Sequence, residues 1–373
     1  MKSSLAVALG VVAATLGAVL ACQDASTSSP PVAVAPAAAA LALPVPRRSA
    51  RPRPPEPTWI VDPIFPRRRL HITGERAHDV AGIAGRKPPQ PRLAPMPENR
   101  IETPPEQRGG VNPCDRPDPG YGIFSRWQFR SGFGKLIMPR TNPVNDQGGF
   151  DFIAHFHGAD LARMEFVRGD VPAVFLAVRG NSSGTYPAMT GRHALDFLID
   201  DLEAAMHRES STGEARAEHV ALAAWSGGYA AIGSILQQSD NWERIDAIVL
   251  LDGLHTAREN PLGLPRLPNF AKFARRAQAG AAFLFISYSS IPTDGHASTT
   301  ESTRLLIQEL GGHPVRVEGD GPAGMALKEA YSVGNFHARG YKGGGALDHC
   351  AHLLLYPEVA QALHRQWYPA EER

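Results

Sequence analysis

One segment of the chain, centred on Ser226, combines a short buried strand, a tight turn and a helix. Residues 219–224 (HVALAA) are mostly apolar and long enough for one strand buried on both faces of a parallel sheet. The sequence Trp225-Ser226-Gly227-Gly228 follows, and residues 229–236 (YAAIGSIL) are predicted to form a helix. Small residues on both sides of Ser226 permit close backbone approach. This pattern predicts a sharp turn that exposes the Ser226 hydroxyl at the carboxyl end of a strand.

The residues around Ser226 resemble the G-x-S-x-G nucleophile elbow of the α/β-hydrolase superfamily, with Ala224 in place of the first glycine. Elsewhere strand candidates alternate with helix candidates, which predicts a mainly parallel central sheet with helices on both faces and an antiparallel hairpin at its start. The resemblance covers most of residues 115–370 and implies an α/β-hydrolase fold. Strands are predicted at residues 121–129, 133–139, 150–156, 171–178, 219–224, 245–251, 281–288, 315–317 and 336–338, and helices at 191–207, 229–236, 299–310 and 347–364.

The resemblance implies a serine, an acid and a histidine in that order along the chain. Ser226 would be the nucleophile, and it needs a base because a serine hydroxyl is weakly nucleophilic on its own. His349 is the predicted base, since it ends a glycine-rich loop (residues 343–349, GGGALDH) that leads into the last helix. His352, one helical turn further on, is the alternative base.

Two aspartates compete for the role of the acid that orients the histidine. Asp294 follows the predicted strand 281–288, after which the superfamily usually places its acid, but five residues separate it from the strand end. Asp252 stands directly at the end of the strand that follows the nucleophile helix. We therefore predict Asp252 as the acid, with Asp294 as the alternative and Glu301 as a more distant third.

An oxyanion that forms on the substrate needs donors that already point at it, usually two backbone amides. The resemblance implies that one donor is the amide of Gly227. The other would come from the turn His157-Gly158-Ala159-Asp160, at Gly158 or Ala159. Three aromatic residues are candidates to line the cleft: Trp225, Tyr186 and Tyr229.

Hydrolysis of a carboxylic ester is the activity that the resemblance implies first, with thioester or amide cleavage next and with no metal or organic cofactor. A zinc hydrolase is one alternative, because two histidine pairs have spacings that suit metal ligands: His155 with His157 and His349 with His352. A second alternative is a non-catalytic envelope lipoprotein that uses the same fold as a binding scaffold.

The N-terminus has the layout of a secretory signal, with a charged tip at Lys2 and an apolar run over residues 5–20. Cys22 directly follows Leu20-Ala21, which resembles the lipobox of bacterial lipoproteins. We therefore predict a signal peptide at residues 1–21 and lipidation of Cys22. The chain would then be exported and anchored to a membrane of the bacterial cell envelope.

Residues 22–110 are rich in alanine, proline and arginine and show little hydrophobic periodicity, so we predict a disordered tether there. Residues 111–373 remain for one α/β domain. The net charge of +1 gives no argument for nucleic-acid binding. Of the three cysteines, Cys114 and Cys350 are left after lipidation of Cys22, and export favours a disulfide between them.

Overall fold

The computed structural model describes residues 58–62, 64–72, 101–180, 186–189, 191–211, 213–238, 243–258 and 266–369. All of them belong to one compact unit, Pro55–Arg373. The predicted signal peptide, the lipidation site Cys22 and most of the predicted tether lie outside the described residues. Within the described ranges, no helix combines the length and the apolar character that crossing a membrane requires.

The described strands join into one sheet of twelve strands, in the order β1-β2-β10-β11-β12-β9-β8-β7-β5-β6-β4-β3. The strands are β1 (Thr58–Val61), β2 (Arg69–Ile72), β3 (Gln128–Ser131), β4 (Gly134–Ile137), β5 (Gly149–Phe156), β6 (Val174–Val178), β7 (Arg216–Trp225), β8 (Ala247–Leu251), β9 (Phe283–Tyr288), β10 (Val315–Asp320), β11 (Ala326–Val333) and β12 (Phe336–Tyr341).

Six neighbouring strands at the centre of the sheet, from β12 through β9, β8, β7 and β5 to β6, run parallel. The hairpin of β3 and β4 joins one side of this group, where β4 pairs antiparallel with β6. Antiparallel strands extend the other side. The predicted α/β-hydrolase fold is therefore confirmed in its parallel centre and its antiparallel hairpin of β3 and β4, but the sheet as a whole is mixed, because further antiparallel strands extend its other side.

Helices cover both faces of the sheet because the central strands are apolar on both sides. In β7, Leu222 and Ala224 belong to one apolar cluster and Ala221 and Ala223 to the other, as the alternation of side chains along a strand requires. The first cluster includes residues of α2, α3, α4 and α5, and the second includes residues of α1, α6 and α7. The helices are α1 (Ala159–Gly169), α2 (Ala194–His207), α3 (Tyr229–Ile235), α4 (Arg266–Gln278), α5 (Thr299–Glu309), α6 (Ala346–Ala351) and α7 (Tyr356–Trp367).

The predicted start of the folded domain near residue 111 was wrong, because part of the predicted tether lies in the sheet. β2 pairs with β1 and with β10, and the side chain of Asp62 forms a fully buried ion pair with Arg339 of β12. Arg108 is also buried. The basic, proline-rich sequence gives no periodic signal for these strands. β2 is held by β10, more than 200 residues away, and β1 pairs with β2.

The predicted disulfide between Cys114 and Cys350 is confirmed. It joins the segment that precedes β3 to helix α6, with the two Cα atoms 5.2 Å apart. This crosslink spans 236 residues of sequence and lies directly beside His349.

Candidate functional site

The turn at Ser226 is held in a strained conformation by its neighbours. Trp225 ends β7, and Ser226 has a φ of 52°, a left-handed value that few residues with a side chain adopt. A Cβ atom on Gly228 would lie 2.2 Å from the carbonyl oxygen of Phe156, and one on Gly253 would lie 2.6 Å from that of Ser226. The backbone packs so closely around the turn that only glycine fits at these two positions. Ser226 itself lines a cavity.

Asp252 follows the last residue of β8 and is buried, with 2% of its surface exposed. One carboxylate oxygen lies 2.7 Å from Nδ1 of His349. The other accepts hydrogen bonds from the hydroxyl of Thr299 at 2.6 Å and from the amide of Ser289 at 2.8 Å. Since a carboxylate only accepts, Nδ1 of His349 carries the proton of this bond, which leaves Nε2 available as a base.

The surroundings of Asp252 keep its carboxyl group ionised. Burial alone would raise its pKa. The neighbouring His352 and His349, together with the hydrogen bonds from His349 and Thr299, outweigh burial and hold the pKa well below its usual range. The ionised carboxylate lies beside the His349 ring, so it stabilises the protonated imidazole.

The alternative acid does not accept a hydrogen bond from His349. Asp294 lies exposed on a turn with Gly295, whose φ is 76°. Glu301 instead caps helix α5 and forms an ion pair with Arg258. Of the three predicted carboxylates, Asp252 alone is hydrogen-bonded to His349 within the described part of the chain.

The alternative base, His352, points into the core. Its ring is fully buried, and Nδ1 lies 2.8 Å from the hydroxyl of Ser287. Burial lowers the pKa of His352 to about 4, so the ring is neutral at neutral pH. His349, by contrast, remains partly exposed and lines the cavity that Ser226 faces.

This cavity has a volume of about 410 Å³, which is within the range of small-molecule sites. Ser226, Asp252 and His349 line it together. The other lining residues come from the loops after β8, β9 and β12 and from the first turns of α5 and α6: His255, Ser289, Ile291, Thr293, His296, Thr299, Gly344, Gly345 and Ala346.

The turn predicted to supply an oxyanion donor lies beside the elbow. Gly158 precedes α1 with a φ of 70°, and a Cβ atom there would lie 2.6 Å from the ring of Trp225. Ala159 opens the helix, so its amide has no acceptor within the helix. Gly227, the other predicted donor, lies in the short 3-10 turn directly after Ser226. Gly158 and Ala159 also line a neighbouring cavity of about 260 Å³.

The ring of Trp225 is stacked between two imidazoles. Its centroid lies 4.7 Å from that of His349 and 5.4 Å from that of His157. Its Nε1 donates a hydrogen bond to the carbonyl oxygen of His349 at 3.1 Å. Burial, and the nearby His349, lower the pKa of His157. Trp225 therefore links the elbow to the backbone of His349, a role that its position in the sequence did not indicate.

The histidine pairs with metal-ligand spacing do not form a metal centre in the described residues, where no group of three or more suitable ligands occurs. His155 is fully buried, and its Nε2 lies 2.7 Å from the carbonyl oxygen of His157. Burial lowers its pKa to about 3. His155 and His157 therefore belong to the core and to the aromatic stack.

Four supporting residues were missed in the sequence. Thr299 and Ser289 bind the carboxylate of Asp252, while Arg108 and Asp348 form a buried ion pair next to His349. For Thr299 a usable signal existed: the S-x-x-E capping box of residues 298–301 marks the start of a helix and places Thr299 in its first turn.

Comparisons with known proteins give no assignment. No family model matches the chain, and no curated protein matches it. Among solved structures it is similar to an uncharacterised protein from Capnocytophaga ochracea (14% identity, 62% of this chain and 63% of that one, TM-score 0.37). It is also similar to a post-proline cleaving enzyme from Rickettsia typhi (12% identity, 65% and 38%, TM-score 0.33) and to a bacterial heroin esterase (14% identity, 65% and 86%, TM-score 0.34).

The chain spans less than two thirds of the length of the first two of these proteins. Likeness at this level carries no conclusion about activity or substrate.

Proposed function

We propose that the protein is a serine hydrolase that cleaves a carboxylic ester, or a related thioester or amide, through an acyl-enzyme on Ser226. The observation that carries the proposal is the 2.7 Å hydrogen bond between His349 and Asp252, at a cavity that Ser226 also lines. A serine on a strained turn, a histidine with one free nitrogen and a buried carboxylate are the groups that nucleophilic acyl transfer requires.

In the first half of the reaction, the Ser226 oxygen attacks the carbonyl carbon while Nε2 of His349 takes the hydroxyl proton. The negative oxygen that forms is stabilised by the amides of Gly227 and of Gly158 or Ala159. Asp252 stabilises the imidazolium and stays ionised throughout. Collapse of the tetrahedral intermediate breaks the bond to the leaving alcohol, which receives its proton from His349.

In the second half, a water molecule attacks the acyl-enzyme and His349 takes a proton from that water. A second tetrahedral intermediate then collapses, which releases the carboxylic acid and returns the proton to Ser226. Every proton transfer passes through one imidazole nitrogen. This is why the hydrogen bond that fixes Nδ1 matters: it keeps Nε2 in the basic form before each attack.

The test is hydrolysis of p-nitrophenyl esters with short acyl chains by the full-length chain. We expect turnover in the native protein and loss of turnover in Ser226→Ala. Ser234→Ala is the matched control, because the hydroxyl of Ser234 donates to a backbone carbonyl within helix α3 and lies outside the proposed machinery. Turnover by Ser226→Ala at the native rate would contradict the proposal. If a chelator then abolished the turnover of this variant, a metal hydrolase would be favoured.

We further propose that the protein is exported and anchored to a membrane of the bacterial cell envelope through lipid on Cys22. The apolar run at residues 5–20 and the Leu20-Ala21-Cys22 sequence support this, and the disulfide between Cys114 and Cys350 suits an oxidising compartment. Labelled palmitate should be incorporated by the native chain in a bacterial host. Incorporation that persists in Cys22→Ser would contradict lipidation at this site.

A further inference from the structure

A segment that precedes the sheet runs against the loop that presents His349. We call residues 101–114 the strap and residues 343–348 the histidine loop. The amide of Gly344 donates to the carbonyl oxygen of Ile101 at 2.9 Å, at one end of the strap. The disulfide between Cys114 and Cys350 joins the other end to the residue that follows His349. Both ends of the strap are therefore fixed to the backbone around His349.

Asp348 is the centre of the contact between these two segments. Its side chain is fully buried and accepts a hydrogen bond from Nη2 of Arg108 at 2.7 Å. Its carboxylate also accepts from the amides of Thr103 at 3.2 Å and Gly345 at 3.1 Å. Asp348, the last residue of the histidine loop, thus joins the strap to the earlier part of that loop.

The histidine loop is packed directly onto this carboxylate. Gly343 has a φ of 120°, and a Cβ atom at this position would lie 2.5 Å from the carboxyl carbon of Asp348. The amide of His349 donates to the carbonyl oxygen of Gly345 at 3.1 Å. A shift of the Asp348 carboxylate is therefore transmitted to the backbone of His349 within a few bonds.

Arg108 neutralises Asp348 in a site that excludes water. Its side chain is 3% exposed, and Nε donates to the carbonyl oxygen of Thr103 at 3.1 Å. Removal of one member of a buried ion pair leaves the other charged and without compensation, so the surrounding backbone moves to admit water or another partner. The backbone in contact with this carboxylate is that of the histidine loop.

We propose that Arg108 and Asp348 are positioning residues that hold His349 in reach of Ser226, although neither touches the substrate. The inference rests on the proposed function, since it assigns a role in the same reaction. Asp252 and Trp225 fix the ring and the carbonyl oxygen of His349, while the strap fixes the backbone that precedes it. A displacement of about 1 Å in such a group costs on the order of a hundredfold in rate.

The test compares Arg108→Met, Arg108→Lys and Asp348→Asn with the native full-length chain. Reactive serines are counted with a fluorophosphonate, so that kcat refers to molecules that still react. We expect Arg108→Met and Asp348→Asn to lower this kcat about 10- to 100-fold while KM changes by less than about threefold. Arg108→Lys keeps the charge and should recover part of the loss.

The matched control is Arg339→Met, which breaks the ion pair with Asp62, where both side chains are equally buried. It should reduce the folded fraction but leave kcat per reactive serine unchanged. If Arg108→Met fails to fold, Arg108→Lys and Asp348→Asn remain informative, because both are close to the native side chains in size. Native kcat per reactive serine in the folded variants would overturn the positioning role. Absence of fluorophosphonate reaction in the native protein would instead refute the proposed function.

Discussion

The elbow that carries Ser226 and the loop that carries His349 face the same cavity, yet the chain holds them in different ways. Strand β7, the turn and helix α3 are contiguous in sequence, and Gly228 allows them to pack against β5. The histidine loop depends instead on distant segments. Ser290, Ile101 and Arg108 reach it from the loop after β9 and from the strap.

Because of this difference, we expect the elbow and the histidine loop to respond to different substitutions. Local strain defines the elbow. We therefore expect its conformation to be lost only on substitution at a position where no other side chain fits. Long-range contacts define the histidine loop, and substitutions far away in sequence should therefore reach it. Variants that act on one region and spare the other test the distinction.

The largest effect on kcat is expected on substitution of Asp252. Two carboxylates are compared: Asp252 in the loop after β8 and Asp294 in the loop after β9. Asp252→Asn keeps the shape but removes the charge that selects the tautomer of His349. By comparison with known triads, kcat should fall about 10⁴-fold. Asp294→Asn, at the exposed turn, should stay within about twofold of the native value in the same ester assay. A large loss in Asp294→Asn and a small one in Asp252→Asn would reverse the assignment.

The turn before α1 should respond next, through Gly158→Ala. Its Cβ atom would lie 2.6 Å from the ring of Trp225, which forces the proposed oxyanion donors away from the elbow. Loss of one such donor lowers kcat about 10²- to 10³-fold. Gly311→Ala is the matched control: its φ of 77° imposes the same backbone strain, but nothing lies within 4 Å of the added atom. Equal losses in both variants would show that strain alone, and not the position of the donors, is responsible.

His352 lies on the buried side of the segment that carries His349, whereas His349 faces the cavity. Burial lowers its pKa from 6.5 to about 4, so the unfolded chain takes up a proton at a higher pH than the folded chain. The contribution of His352 to the free energy of unfolding is fully present above about pH 6.5. It is lost as the pH falls toward 4, by about 3 kcal/mol.

In denaturant unfolding at pH 7 and pH 4.5, His352→Asn should therefore lose less stability on acidification than the native chain. His313→Asn, at an exposed site, should match the native chain. An identical loss in His352→Asn and the native chain would contradict a neutral, buried His352.

The parts of the molecule with a local pattern were predictable from the sequence. The alternation of strands and helices, the turn at Ser226 and the buried side of helix α2 follow from apolar runs and small residues. The position of Asp252 also followed from a local feature, the end of an apolar strand. The pairing of Cys114 with Cys350 followed from the small number of cysteines and the predicted export.

The parts held by distant partners were not predictable. β1 and β2 lie in a basic, proline-rich stretch, and β11 mixes lysine, glutamate and tyrosine, so neither carries a clear period. β2 pairs with β10, and β11 pairs with β10 and β12, while β1 pairs with β2. In the same way, nothing near Arg108 in the sequence indicates a buried ion pair with Asp348, 240 residues away.

Reaction with a fluorophosphonate followed by peptide mapping measures whether Ser226 is a nucleophile activated by His349. We expect one adduct on the full-length chain, on the peptide that contains Ser226. We expect no adduct in Ser226→Ala and a strongly slowed reaction in His349→Ala. An adduct on another residue, or one that forms at the native rate in Ser226→Ala, would contradict this role of Ser226.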